Sequence, residues 1–555
     1  MGCDAGFVDA DGDPATGTCG CEFACSMGCP QGFIDADKSG ATGLCGCEYS
    51  CAMGCAAGSF DIDGNPLTGA CGCEYACVPT GATDPIDEAF HDDNCDGTDG
   101  VAEKCVYVSA SLGDDGAGAG TRTSPVQTIA RALEVAQLNG VPSVCLSGEI
   151  YNEKVNVVSG INIYGGFDQN NADFKFKRTG VTTTVAAVGT VFDAAKIDQE
   201  THIEGLTIEA AAMAALGGSS TYGVRLGTGV GQLFVRYNVI NVQQGADGAS
   251  GVNGAAPAQA IATSGQAGGN GCSHGNCAPN GASGTQCTEF GGKGGNGGFD
   301  NQAGFAGAVG SGNTAAGAGG SQAPSCGTNQ SKAGGGGSGG QIGNQGAPGS
   351  GGATLGIMSG GFYSAAGGGI GAAGTNGLGG GGGGGGGGGL YKLIGCYADT
   401  GGGGGAGGCG GVGGKLGSGG GGGGGSFGVF AASGKVVVTN NQITTTKGGN
   451  GGKGGNGGDG QFGGGGGGGG GGADDSAPGG SGGKGGDGGA GGPGGGGGGG
   501  PSACLARTGA VVFSYAMNSC TTGIPGSGGA AGTNTKGGIA SPGNNGTAAA
   551  NLQVN

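Results

Sequence analysis

Glycine recurring as Gly-Gly-X limits what this chain can fold into more than any other feature. Of its 555 residues 160 are glycine, and the cleanest runs are 291–298 (GGKGGNGG), 448–459 (GGNGGKGGNGGD) and 482–493 (GGKGGDGGAGGP). A period of three matches neither the 3.6 of an α-helix nor the 2 of a strand. It matches the extended left-handed helix with three residues per turn and no internal hydrogen bonds. Two bare glycine faces can then pack on neighbouring helices while X points to solvent. The competing reading is a flexible linker, because glycine loses more backbone entropy on ordering than any other residue. The periodicity favours packed polyglycine type II helices. The uninterrupted runs 379–389, 463–472 and 494–500 are then expected deepest in the bundle, where no Cβ fits.

The remaining composition fits several modules rather than one large core. There is no Trp, aromatics are 5 % and charged residues 11 %, so a conventional apolar core cannot span the whole length. Sixteen prolines are too few for a collagen triple helix, which also wants one glycine per triplet. The net charge of −18 is uneven. Residues 1–100 hold 18 acids and one Lys (−17), leaving 21 acids and 20 bases (−1) for the rest. Acidity of that size argues against a nucleic-acid partner and for bound cations. No apolar run reaches the roughly 18 residues of a membrane span.

Twelve of the 23 cysteines fall in the first 77 residues, a density that predicts disulfides and an extracellular or cell-surface location. The odd total leaves at least one without an intrachain partner, and Met1-Gly2-Cys3 runs straight into repeat sequence. The expectation is a chain that begins partway through a longer secreted precursor.

Three 26-residue repeats fill residues 1–78: Cys3, Cys29 and Cys55 are in register, as are Cys25, Cys51 and Cys77. Each carries alternating acids around glycine: Asp9, Asp11 and Asp13; Asp35 and Asp37 with Ser39; Asp61 and Asp63 with Asn65. Oxygens at i, i+2 and i+4 can converge on one hard cation. Glu22, Glu48 and Glu74 recur at a common offset to close the shell, one that differs from an EF-hand's. Calcium is the expected ion. Solvated acids on a disulfide stalk, or zinc at the Cys-x-Cys-x3-Cys-x3-Cys spacing, are the competing readings. The pattern loosely resembles the calcium-binding Asp/Cys repeats of the thrombospondin type 3 family. A further acidic linker at 79–104 contains DPIDEAFHDDNCDGTDG, which resembles the D-x-D-N-C-D-G element of secreted bacterial metal-binding repeats. That resemblance nominates Asp92, Asp93, Asn94, Asp96 and Asp99 as ligands.

Near residue 105 the pattern changes. Val106-Tyr107-Val108 reads as a strand, and Ser124, Pro125 and Gln127 read as the start of a helix. Val126, Ile129, Ala130, Leu133 and Ala136 give its apolar face, Gly140 ends it, and Val144-Cys145-Leu146 returns as a strand. The segments YVSASLGDDGAG, SPVQTIARALEVA and VCLSGEIYNEKV closely resemble the N-terminal cap of pectate-lyase-like right-handed parallel β-helix proteins. In that superfold Cys105 and Cys145 would lie on adjacent coils and could pair. Short alternating segments follow, and Tyr222-Gly-Val-Arg-Leu…Leu-Phe-Val-Arg-Tyr-Asn238 is echoed by Phe427-Gly-Val-Phe-Ala…Val-Val-Val-Thr-Asn-Asn441. A weaker third copy ends at Asn518.

The expected fold is therefore all-β: a right-handed parallel β-helix (solenoid) with polyglycine type II insertions and an N-terminal disulfide-rich repeat stalk. Its β-helix cap and coils occupy 105–244, glycine-rich insertions 245–425 and 448–503, an intervening coil 426–447, and terminal coils 504–555. Cys272-Ser-His274-x2-Cys277 reads as a disulfide loop rather than a metal cluster.

The expected function is a non-enzymatic extracellular structural protein, a self-assembling filament or an adhesin or stalk subunit, stabilised by disulfides and Ca2+. Its partner is expected to be a second copy, through the terminal strand around Leu552 and Val554. The alternative is a polysaccharide-binding or polysaccharide-cleaving protein, with Arg225 and Arg236 as groove cations and His202 structural. Ice binding by flat glycine faces fits less well, because X includes Lys, Asp and Asn.

Overall fold

The computed structural model describes residues 91–554 apart from 171–179, 214–216, 278–279, 326–329 and 393–395, and in the N-terminal region 7–8, 23–24, 33–34, 49–50, 54–62, 69, 72–81 and 83–87. All three repeats carry a two-residue antiparallel pair at equivalent positions. Phe7–Val8 pairs with Phe23–Ala24, Phe33–Ile34 with Tyr49–Ser50, and Ser59–Phe60 with Tyr75–Ala76.

From residue 105 the chain is mostly β and builds three parallel sheets, visiting them in rotation. The first holds Cys105–Val108, Ser143–Ser147, Asn162–Phe167, Thr201–Glu204, Gln232–Arg236, Lys435–Thr439 and Val512–Ala516. The second holds Ile150–Tyr151, Thr184–Val188, Thr207–Ala211, Val239–Val242, Gln442–Thr445 and Ser519–Thr521. The third holds Val155–Asn156, Thr190–Lys196, Thr221–Thr228, Ser426–Ala431, Ser502–Thr508 and Ala548–Val554. This arrangement is compatible with a solenoid.

Alternation puts one apolar column per sheet into a shared core. The columns are Val106, Val144, Ile163, Ile203, Val235 and Val438 in the first sheet, Val185, Ile208, Ile240 and Ile443 in the second, and Val155, Phe192, Val224, Val429 and Leu505 in the third. All are buried. The internal echo lies in register, with Tyr222 beside Phe427 and Leu233 beside Val436. Asn238, Asn441 and Asn518 stack at the corner between first and second sheets. Each preceding backbone N–H donates to the next carboxamide: Asn238 N to Asn441 Oδ1 and Asn441 N to Asn518 Oδ1, both at 3.0 Å.

The helix, Ile129–Asn139, starts later than Ser124. Its N-cap is Thr128, whose hydroxyl accepts from Arg131 N, and Glu153 accepts from the N–H groups of Ile129 and Ala130. Residues 125–126 are occupied otherwise, because Val126 pairs alongside Val108 and covers the edge of the first strand. The buried face is Ile129, Ala132, Leu133, Val135 and Ala136, whereas Ala130 is exposed. Gly140 ends the helix at φ 66°, as expected.

Glycine-rich segments leave the sheets at one recurrent corner, between second and third. They follow Val239–Val242, Gln442–Thr445 and Ser519–Thr521, so a third excursion, 522–547, joins the two read from sequence. Their backbones bond at every third residue: Gly245, Gly248, Gly251 and Gly254 donate to the carbonyls of Lys447, Asn450, Lys453 and Asn456. In the run 379–389, successive N–H groups serve different neighbours, with Gly380, Gly381 and Gly382 donating to Gly408, Ser338 and Ala308. Carbonyls of the same run accept from Gly292, Gly317 and Gly483. Six segments therefore surround it, and all its residues are buried. A Cβ on Gly380, Gly381 or Gly382 would come to about 2.0 Å of a carbonyl oxygen in three different neighbours.

Of the other uninterrupted runs, 494–500 is buried as expected, but 463–472 is not: Gly465, Gly466, Gly468, Gly469, Gly471 and Gly472 are exposed, because the run has neighbours on one side only. Gly384 and Gly468 test this packing. A Cβ on Gly384 would lie 2.0 Å from the Ala318 oxygen, whereas one on Gly468 meets nothing within 4 Å. Gly384→Val should cost about 3 kcal/mol or more. Gly468→Ala should stay within about 1 kcal/mol of wild type, on the stabilising side. Denaturant unfolding of both variants reads the difference, and equal stabilities would contradict it.

Candidate metal site in the acidic segment

Eight of the residues nominated from sequence, Asp9, Asp11, Asp13, Glu22, Asp35, Asp37, Glu48 and Asp63, lie outside the described residues. Asp61 and Glu74 belong to the third repeat, where the Cys55–Cys73 disulfide and the pair Ser59–Phe60/Tyr75–Ala76 bring the two arms together. Glu74 Oε1 accepts from Ile62 N at 2.9 Å, so the glutamate folds back onto the acidic loop. Cys73 and Cys77 are both in disulfides, the latter with Cys95. The zinc-thiolate alternative is thereby removed for these two sulfurs.

The Cys77–Cys95 bridge ties the following segment to that repeat. Arg122 holds it from the other side, donating to the carbonyls of Asp96 and Ile62. Within this frame the carboxylates of Asp84, Asp92 and Asp96 converge, one oxygen of each lying within 4.8 Å of the others. Backbone N–H groups aim all three. Asp92 accepts from Asp96 N and Gly97 N, Asp96 from Thr98 N and Ala102 N, and Asp84 from Asp93 N and Gly100 N. Tight turns with positive φ at Cys95 (57°), Gly97 (90°) and Gly100 (93°) make this convergence possible.

Of the five residues nominated in this segment, only Asp92 and Asp96 enter the triad. Asn94 supports it, its amide donating to Asp96 Oδ2 at 3.1 Å. Asp93 instead accepts from the Thr80 hydroxyl, and Asp99 Oδ1 accepts from Asp87 N at 3.1 Å. Asp84 was missed. It opens the same acidic stretch, but it lies upstream of the motif, and only the fold-back of the chain brings it in.

Three carboxylates in one partly buried site repel one another, and burial disfavours their charged forms. Burial pushes the Asp84 carboxyl up to about 6, against the bonds from Asp93 and Gly100, with the Asp92 and Asp96 charges adding to the rise. Asp96 is also raised, again first by burial. A cation would relieve both effects. The donor set is all oxygen, and the nearby Cys95 is oxidised, so the residues fit a hard cation such as Ca2+.

The arginines considered as groove cations are engaged elsewhere. Arg225 is 5 % exposed, pairs with Asp193, donates to the Gly361 carbonyl at 3.0 Å and lies 3.9 Å from the Phe362 ring centre. Arg236 pairs with Glu204 at 2.7 Å. His202 sits between Glu200 and Glu204 and stacks on Phe234 at 4.5 Å. Cys105–Cys145, expected from the resemblance, is present, as are Cys272–Cys277, Cys287–Cys409 and Cys504–Cys520.

The acidic triad generates a signed pH dependence. Asp84 titrates higher in the folded chain than unfolded, so without cation the folded state binds more protons between about pH 4 and 6, and its stability falls as pH rises through that window. Calcium should restore about 2–3 kcal/mol at pH 7 when present at roughly 100 times Kd, and little at pH 4. Asp84→Asn should abolish both effects. Thermal melts at two pH values, with and without chelator, check this.

A scan against protein-family models finds no match for this chain, and searches of curated proteins and of solved structures find none either, so its functional reading rests on geometry and chemistry.

Proposed function

We propose that this chain is an extracellular structural module, a stalk or adhesin subunit whose right-handed parallel β-helix carries packed polyglycine type II helices and joins a second copy through its C-terminal end. Its disulfides support an oxidising, extracellular compartment, and the acidic triad supports calcium as the brace of its N-terminal segment.

The observation that carries this reading is the difference between the two ends of the sheets. At the N-terminal end the helix Ile129–Asn139 buries its apolar face against the first coil, and residues 120–126 cover the outer edge of Cys105–Val108. At the other end lie Val512–Ala516, Ser519–Thr521 and Ala548–Val554, whose outer edges pair with no described strand. Val512 is 64 % exposed and Met517 76 %, while Phe513, in line with core Val436, is 39 % exposed under Arg507. Unpaired edges beside exposed apolar side chains are a template for another chain.

Because among the described residues one end is covered and the other uncovered, the favoured assembly is a two-fold pair, uncovered end against uncovered end. An indefinite head-to-tail filament would need both ends open. Sedimentation of the calcium-loaded chain should show a monomer–dimer equilibrium. Val512→Lys and Met517→Asp should each weaken it about tenfold or more, or roughly 1.4 kcal/mol. Asp is acceptable at position 517, where φ is 54°. A monomer at every concentration would sink the assembly reading, and regular filaments in electron micrographs would replace the pair with open-ended growth.

A further inference from the structure

We propose that His274, Asp399 and Asp474 form a second metal site, for a divalent transition-metal cation of the Zn2+ class. They come from three places in the sequence. His274 lies in the loop closed by the Cys272–Cys277 disulfide, Asp399 ends the hairpin Gly389–Lys392/Cys396–Asp399, and Asp474 lies in the turn that follows the run 463–472. One ligand atom of each lies within 4.8 Å of the other two.

The arrangement is built rather than incidental. Thr400, next to Asp399, ties all three segments together. Its N–H donates to the Cys272 carbonyl at 3.0 Å, and its hydroxyl donates to the Gly275 carbonyl at 2.8 Å and accepts from Cys277 N at 3.3 Å. The Ser476 hydroxyl donates to the Thr400 carbonyl at 2.9 Å and anchors the turn containing Asp474 by accepting from Ala473 N at 2.7 Å.

Asp399 gives the independent sign of a ligand. It is fully buried, at 0 % exposure. Its Oδ1 accepts from His274 N at 2.8 Å, but its Oδ2 has no hydrogen-bond partner among the described residues. A buried carboxylate oxygen without a donor is costly, and a cation at this position satisfies it. The neighbouring acid Asp474 and the imidazole of His274 are exposed, so the ion has an entry path.

The donor set selects the metal. One imidazole nitrogen with two carboxylates suits zinc and its neighbours in the first transition row, whereas calcium takes oxygen ligands. The cysteines of the same loop are joined to each other and so are unavailable as thiolates. Three protein ligands leave a coordination position for water. The ion would clip two glycine-rich excursions together, because His274 and Asp399 belong to the first and Asp474 to the second.

The test uses the full chain, stripped with chelator and then saturated with Ca2+ so that the acidic triad is filled. Calorimetric titration with Zn2+ should show about one tight site, and Co2+ should give the visible absorption of a low-symmetry four- or five-coordinate ion. His274→Ala and Asp474→Ala change exposed side chains at positions of positive φ (53° and 43°), and the first also removes an edge contact with Tyr397, so metal-free melts should fall slightly while Zn2+ binds at least about tenfold more weakly in each. Asp399→Asn should show the same loss, and the exposed pair keeps the proposal testable if that variant does not fold. Absence of Zn2+ binding by the native chain, or undiminished binding in His274→Ala or Asp474→Ala, would overturn the site without touching the calcium reading, which Asp84→Asn tests separately.

Discussion

The backbone hydrogen bond between glycine-rich segments, made at every third residue with no Cβ in the way, is the interaction on which nearly half of this chain depends. Ordering glycine is entropically costly, so each ordered segment must recover that cost from its backbone groups and close packing. The run 379–389 does so on all sides, its N–H and carbonyl groups reaching six neighbouring segments. The position of a segment sets its sequence. The run 379–389, buried along its whole length, is all glycine, and the buried stretch 401–411 admits only Ala406 and Cys409. In the segment 291–298, Gly291, Gly292, Gly294, Gly295 and Gly298 are buried and Lys293 turns out. The outlying 334–349 has glycine inward at one position in three, as at Gly334, Gly337 and Gly340. Contact demands glycine, but glycine does not imply contact: in the run 463–472 Gly465, Gly466, Gly468 and Gly469 are exposed.

The sheets supply what glycine cannot, a fixed register. Each excursion leaves and returns at the same corner, so the strands on either side set where its first triplet starts. The apolar columns and the stacked Asn238, Asn441 and Asn518 lock successive strands of the sheets to one another. Side chains also reach back from the excursions. The hairpin Ile357–Ser359/Phe362–Ser364 places Tyr363 against Tyr222 and Phe427 on the outer face of the third sheet, giving a second apolar cluster that Leu552 and Val554 complete. Sheet and glycine-rich layers are therefore mutually dependent.

What was legible in the sequence is what repeats. Period three revealed the bare faces, period 26 the N-terminal units, and the echo between 222–238 and 427–441 the stacking of coils across an intervening excursion of nearly two hundred residues. What was not legible depends on convergence. Ser124 is a good cap by local rules, but the edge of Cys105–Val108 needed covering, so residues 125–126 went to the sheet and the helix began at Ile129. Asp84 enters the acidic triad only because the Cys77–Cys95 bridge and the turns at Gly97 and Gly100 fold the segment back. Asp93, inside the matching motif, goes to Thr80 instead. The third excursion, 522–547, lacks clean Gly-Gly-X runs because it lies at the periphery, where one glycine per triplet is often enough.

The same logic locates side-chain chemistry in the glycine-rich region. A glycine row has no side chain with which to specify a reversal of direction, so every reversal must be defined by other means. The reversals at 272–280, 389–400 and 473–476 carry a disulfide loop, a β-hairpin and a serine-anchored turn, and all three meet at Thr400. Cys287–Cys409 fixes another pair of rows nearby. A cross-link at such a place holds two rows in register at their ends, where fraying would begin, while the interior needs only backbone. Cys272, His274, Cys277, Asp399 and Asp474 stand at such reversals, where the lattice itself has nothing left to specify the fold, whereas Cys409, Asp459 and Asp487 lie within rows.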